Sequence, residues 1–162
     1  MEQKTDTKRS YVNAGEAGTE KLRRIDRRCL IVADICLLAM IVVHDADHVR
    51  QAVNWCYTIP LSVWIVNVLV YVPGLLSLWL AWHWRTIAAL ATCVSGVLIA
   101  VAFAKVHLWK PFLPVWGIWN ESFLVLGVDA ISWSILTLTV LVGVGVSLAG
   151  AFVAGRISHL SQ

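Results

Sequence analysis

Residues 130–154 carry no charged side chain, and neither do residues 59–82. Each run exceeds the roughly 20 residues that an α-helix needs to cross a hydrocarbon core about 30 Å thick. Two further runs, 25–49 and 87–106, meet the same length, the first interrupted by Asp34 and by polar residues near its end. Backbone N–H and C=O groups in lipid must be bonded within the segment, so such runs form helices. No two-residue alternation marks a barrel. The expected fold is all-α: an integral membrane four-helix bundle over residues 25–154, with a polar basic tail at 1–24 and a short tail at 155–162. The chain is 59% hydrophobic and 14% charged, a balance that excludes an ordinary soluble domain.

The first run invites comparison with a signal peptide, and Arg27-Arg28 faintly resembles a twin-arginine signal. No small-residue cleavage site follows, so a retained membrane helix is expected. Residues 1–28 hold eight Lys/Arg and five Asp/Glu, and the remaining residues hold five of each, so the net +3 charge resides in this tail. A tail so short and mixed argues against nucleic acid as a partner. Its cluster Lys21, Arg23, Arg24, Arg27 and Arg28 instead anchors topology and attracts anionic headgroups. With both termini cytoplasmic, only Arg50, Lys105 and Lys110 among the cations lie outside. The positive-inside rule therefore places both termini in the cytoplasm; the expected location is the cell (inner, cytoplasmic) membrane.

Shorter signals fill in the layout. Residues 1–18 read as a polar, mobile stretch, with Thr19 as a helix cap. Pro60 suits the first turn of the second helix, and Pro73-Gly74 should kink it. A tight turn over 81–86 makes the second and third helices antiparallel neighbours. The connection over 107–129 is the one long loop, with Pro111, Phe112, Pro114, Trp116 and Trp119; it is expected to be partly ordered over the outer end of the bundle. The tryptophans divide into an outer belt (Trp55, Trp64, Trp109, Trp116, Trp119, Trp133) and an inner one (Trp79, Trp82, Trp84). Of four cysteines, only Cys56 falls in an outer loop, so no disulfide framework is expected. There is no internal repeat, and no GxGxxG, P-loop or nucleophile elbow assigns an enzymatic reaction.

Chemistry concentrates in His44-Asp45-Ala46-Asp47-His48, where the first helix is expected to end. Ionisable residues at membrane depth mark functional sites by default. With Asp34 at 0° and about 100° per residue, Asp45 falls near 20°, His48 near 320° and His44 near 280°. These residues share a face, and Asp47 and Arg50 point elsewhere, toward water or headgroups. His44 and His48 are one turn apart and able to share a ligand. His107 ends the third helix, Glu121 lies in the loop, and Asp129 begins the fourth. His44, His48 and His107, with Asp45, Glu121 or Asp129 as carboxylate, would suit a transition metal (Cu, Zn or Fe). A b-type haem between His44 or His48 and His107 is a narrower version. Asp34 and Asn67 are the intramembrane polar groups; Asp34 reads as interhelical glue, with Ser77, Ser147 or Gly150 as partners. Gly143, Ser147 and Gly150 form a small-residue face for close packing, within the bundle or with another subunit.

Three functions are compatible with this pattern. The leading one is a metal or haem site at the extracytoplasmic end, serving metal handling or redox chemistry in a membrane complex. The second is a non-catalytic accessory or assembly subunit, with other membrane subunits or a second copy as partners besides the lipid bilayer. The third is a proton- or ion-coupled oligomeric carrier using Asp34.

Overall fold

A computed structural model describes residues 3–109 and 117–160, with side chains at 23–109 and 118–158. Among the described residues every regular element is helical. Four helical stretches are long and apolar enough to cross a membrane: Arg23–Asn54, Leu61–Trp82, Ala88–Leu108 and Ala130–Ser158. The first belongs to helix α1 (Gln3–Asn54); the second divides into α2 (Leu61–Leu69) and α3 (Tyr71–Trp82); the third is α4 (Ala88–Leu108). A 3₁₀ turn (Gly117–Asn120) and the one-turn α5 (Phe123–Leu126) lead to α6 (Ala130–Leu160).

The long helices form a ring in which α1 packs on α3 and α6, and α4 packs on the same two. Most of the surface is apolar: Val32, Leu76, Val101 and Leu141, for example, are more than half exposed. Such a surface belongs in lipid, and the apolar helices imply contact with a bilayer. The closest seam joins α4 and α6. A Cβ added at Gly96 would lie 2.4 Å from the Gly143 carbonyl oxygen, and one at Gly150 would lie 2.4 Å from the Cys93 nitrogen. The small-residue face of α6 is thus spent inside the bundle, where absent side chains let two backbones touch.

Several boundaries differ from the sequence reading. Helix α1 begins at Gln3, so Thr19 is not a cap and the polar tail is a helical extension of the first span. It also runs past His48 to Asn54, so the histidine-rich stretch lies inside a helix. The second span breaks at Val70, ahead of Pro73. Proline lacks a donor and clashes with the carbonyl four residues earlier, that of Leu69, so the ladder fails one turn upstream of the ring. Residues 110–116, including Pro111, Phe112, Pro114 and Trp116, lie outside the described residues.

The end of the bundle bearing Trp82 has its own closure. Arg27 donates from Nε to the Ala81 carbonyl (3.2 Å) and from Nη2 to the Trp82 carbonyl (2.6 Å). These are among the last carbonyls of α3, which lack partners within the helix. The same guanidinium lies 4.6 Å from the Trp84 ring centroid. Arg156 of α6 pairs with the buried Asp26 at 3.1 Å. Arg27 of the basic cluster thus caps α3, and the Arg156–Asp26 pair ties α6 to α1.

Candidate metal centre

Two turns of α1, the last turn of α4 and the middle of α6 meet around three imidazoles. His44 and His107 are buried, and Nε2 of each faces the other at 3.1 Å. The remaining ring nitrogens decide what this contact is. His107 Nδ1 lies 2.8 Å from the Phe103 carbonyl oxygen, which can only accept, so Nδ1 carries the proton. Thr139 donates its hydroxyl hydrogen to the Ile135 carbonyl at 2.7 Å. Its oxygen then accepts from His44 Nδ1, 3.3 Å away. With His44 in this tautomer both Nε2 atoms present a lone pair; with Thr139 turned to donate to Nδ1 instead, His44 Nε2 donates to His107 Nε2. Two lone pairs 3.1 Å apart repel unless a cation lies between them.

His48 completes the group. Its Nδ1 is buried and has no hydrogen-bond partner. Its ring stacks on His107 with centroids 5.4 Å apart and meets His44 edge-on at 4.9 Å. One nitrogen from each of the three histidines lies within 4.8 Å of the others, so the group could hold a metal ion. Two nitrogens bound at roughly 2.0–2.1 Å in tetrahedral geometry stand about 3.3–3.4 Å apart, close to the 3.1 Å between His44 and His107. Phe103 lies edge-on to His44 (4.5 Å), and Phe123 edge-on to His107 (4.7 Å). Trp119 stands against His48 at 5.6 Å. The walls are aromatic, and a ligand nitrogen whose partner nitrogen is fixed by a carbonyl is held in orientation before any metal arrives.

The His44–His107 pair is tight for a haem. Axial imidazoles on opposite faces of a porphyrin need nitrogens about 4 Å apart, twice a metal–nitrogen bond. His44 and His107, at 3.1 Å, are nearer than that. The His44–His107 pair alone therefore sits closer than two axial haem ligands would.

The carboxylates take other places. Asp45 accepts a hydrogen bond from the Tyr71 hydroxyl at 2.7 Å, joining α1 to α3 on the far edge of the helix face. Asp129 receives Arg50 in a two-pronged contact, Nη1 to Oδ2 at 2.6 Å and Nη2 to Oδ1 at 2.8 Å. It also caps α6 by accepting from the Ser132 N–H at 3.0 Å. The Arg50 guanidinium and the capped N–H hold the Asp129 carboxyl well below the usual carboxylate range. Glu121 lines a cavity that His48 and His107 also border. The structure therefore gathers the three histidines and engages Asp45 and Asp129 elsewhere.

Asp47 overturns the expectation that it faces water. It is buried, and accepts from Arg50 Nε and Gln51 Nε2, each at 2.7 Å. Gln51 and Arg50 continue to the buried Ser132 Oγ at 2.7 and 2.8 Å. Arg50 is likewise turned into this network. The error lay in the origin of the helical wheel. Asp34 is at one edge of the buried arc, which is centred near 290° and reaches Asp47 near 220°. The signal that would have found the network was Gln51, a long amide two positions past the expected helix end.

Asp34 is fully buried and accepts from Ser77 Oγ (2.9 Å) on α3 and Thr92 Oγ1 (3.1 Å) on α4. Ser77 was an expected partner; Thr92 was missed, while Ser147 and Gly150 pack against α4 instead. Asn67 is buried with Nδ2 unpartnered. Compared with protein-family models, curated proteins and solved structures, the chain matches none.

Proposed function

We propose that this is a multi-pass membrane protein that binds one transition-metal ion through His44, His48 and His107. The observation carrying the reading is the convergence of one nitrogen from each of the three histidines within 4.8 Å, with Nε2 of His44 and of His107 facing each other at 3.1 Å. The orphaned Nδ1 of His48 beside them supports it. All-imidazole ligation suits Zn, Cu or Fe and disfavours Mg or Ca. Three protein ligands leave a fourth position open, the arrangement of sites that exchange a ligand and do not merely brace a fold. Glu121, on the wall shared with His48 and His107, is the carboxylate that remains a candidate for it. The excess of basic residues in the first 28 argues that this end of the bundle is extracytoplasmic and both termini cytoplasmic. Metal handling or redox chemistry in a membrane complex follows from such a site.

The competing occupant of the His44–His107 contact is a shared proton, and a metal titration separates the two. Chelator-stripped protein in detergent is loaded with Co(II) and Zn(II), and bound metal is counted by mass spectrometry. One ion per chain, with the intense visible bands of low-coordinate Co(II), is expected. His44→Ala or His107→Ala should lower affinity by at least 10- to 100-fold. No uptake of Co(II), Zn(II), Cu or Fe would leave the proton as the occupant and end the metal reading. The accessory-subunit alternative loses the small-residue face as its support, since that face is packed against α4.

A further inference from the structure

Beside the histidines lies a cavity of about 460 Å³, bounded by α2, α4, the end of α1 and the segment leading into α5. Its origin is the break at Val70. Below the break α3 packs on α1 and α4, whereas α2 packs appreciably only on α3. The upper half of the second span leans off the bundle and leaves space against α4. The rim includes Ile65 and Leu69, both more than half exposed on the lipid-facing surface, so the space opens toward the membrane.

The lining is apolar with a few placed polar groups, and its volume is that of a small-molecule site. Trp55, Phe103 and Trp119 supply flat walls. Asn67 is 8% exposed and its Nδ2 donor has no partner, a costly condition in an apolar setting unless a ligand oxygen meets it. Glu121 contributes a carboxylate acceptor on the same lining. Gln51 contributes less, because its amide nitrogen already donates to Asp47 and Ser132.

We propose that this cavity binds the ring of a membrane-soluble quinone, whose carbonyl oxygen accepts a hydrogen bond from Asn67. The ring lies among the aromatic walls, and the apolar tail leaves between α2 and α4 into lipid. A hydroquinone would in addition donate a hydroxyl to Glu121. An acyl chain matches the walls but leaves Asn67 unmet, and a water-soluble ligand would have to cross the lipid-facing rim. The proposal stands on the cavity and Asn67, independently of any metal.

The test uses metal-stripped full-length protein in phosphatidylcholine nanodiscs, titrated with decylubiquinone while tryptophan fluorescence is recorded. Trp55 and Trp119 in the wall should be quenched with saturation at one quinone per chain, above the linear quenching given by partition into lipid. Asn67→Leu, near in volume but without the donor, should weaken binding about 3- to 10-fold, the worth of one hydrogen bond. Ala102→Phe, which fills the cavity, should abolish the saturable component, and it keeps the test decisive if Asn67→Leu does not fold. Linear quenching alone, the result for a cavity filled by lipid chains, overturns the proposal. So does an isotherm unchanged by either substitution. Because no metal is present, neither result bears on the histidine site.

Discussion

Replacing Gly96 by alanine should separate α4 from α6, and the structure sets the size of the effect. The new Cβ would stand 2.4 Å from the Gly143 carbonyl oxygen, 2.5 Å from the Ser147 nitrogen and 3.0 Å from the Ser147 Cα. All three are backbone atoms of α6, so no side chain can swing aside. Restoring ordinary contact requires the two helices to part by about 1 Å, and a gap of that order forfeits a quarter to a half of each dispersion contact along the seam. Ala89, Cys93 and Ala100 face Gly150 and Gly143 in the same seam and would lose contact with it. Overpacking of a tight core costs about 1–3 kcal/mol. Gly145 lies on the same helix as Gly143 with nothing within 4 Å of an added Cβ. There alanine should be neutral, or stabilising by up to about 1 kcal/mol through helix propensity. Reversible unfolding in mixed micelles, followed by circular dichroism, measures both variants against the parent. Equal stability of Gly96→Ala and Gly145→Ala would refute the assignment of this seam as the closest contact of the bundle.

Asp34→Asn should be tolerated, because the amide oxygen accepts from one hydroxyl and the amide N–H can donate to the other; Asp34→Ala leaves Ser77 the Gly74 carbonyl but takes the acceptor from the buried Thr92 hydroxyl and should cost about 1–3 kcal/mol in the same unfolding assay. Acid should reveal the Arg50 clasp. The Asp129 carboxyl is depressed in the folded state, so its contribution is present above the unfolded value of about 3.9 and is lost as pH falls through the folded value. Arg50→Met should flatten the pH dependence of the unfolding midpoint below pH 4, and an unaltered slope would show that the pair carries no linkage. Arg27→Met removes the donors to the Ala81 and Trp82 carbonyls and should cost about 0.3–1 kcal/mol, read as faster amide exchange in the last turn of α3.

The number of membrane-length spans was legible because it depends only on run length against bilayer thickness. The three histidines were also legible as a group, since spacing of four on α1 and placement at the end of the third span bring them to one level. Their carboxylates were not. An acid near a helix end has several partners within reach, and sequence does not say that Tyr71 claims Asp45 or that Arg50 claims Asp129. Asp47 was misplaced because one residue, Asp34, served as the origin of the wheel. A single buried residue fixes that a face is buried, not where its centre lies. Thr92 escaped notice for a related reason: a hydroxyl in an apolar helix gives no signal until its partner's depth is known.

The first and last helices meet along a seam whose partners are far apart in the chain: Arg50 with Asp129, Gln51 with Ser132, His44 with Thr139. During synthesis α1 enters the membrane long before α6 exists. Until then Arg50, Gln51 and His44 lack their partners on α6, and α1 must be sheltered by the insertion machinery or lie shallow in the interface. Bundle closure is thus a late event in biogenesis, gated by arrival of the C-terminal helix. A chain truncated before residue 130 would keep three spans and the Arg50–Asp129 pair but lose the Ser132 and Thr139 hydroxyls that Gln51, Arg50 and His44 meet.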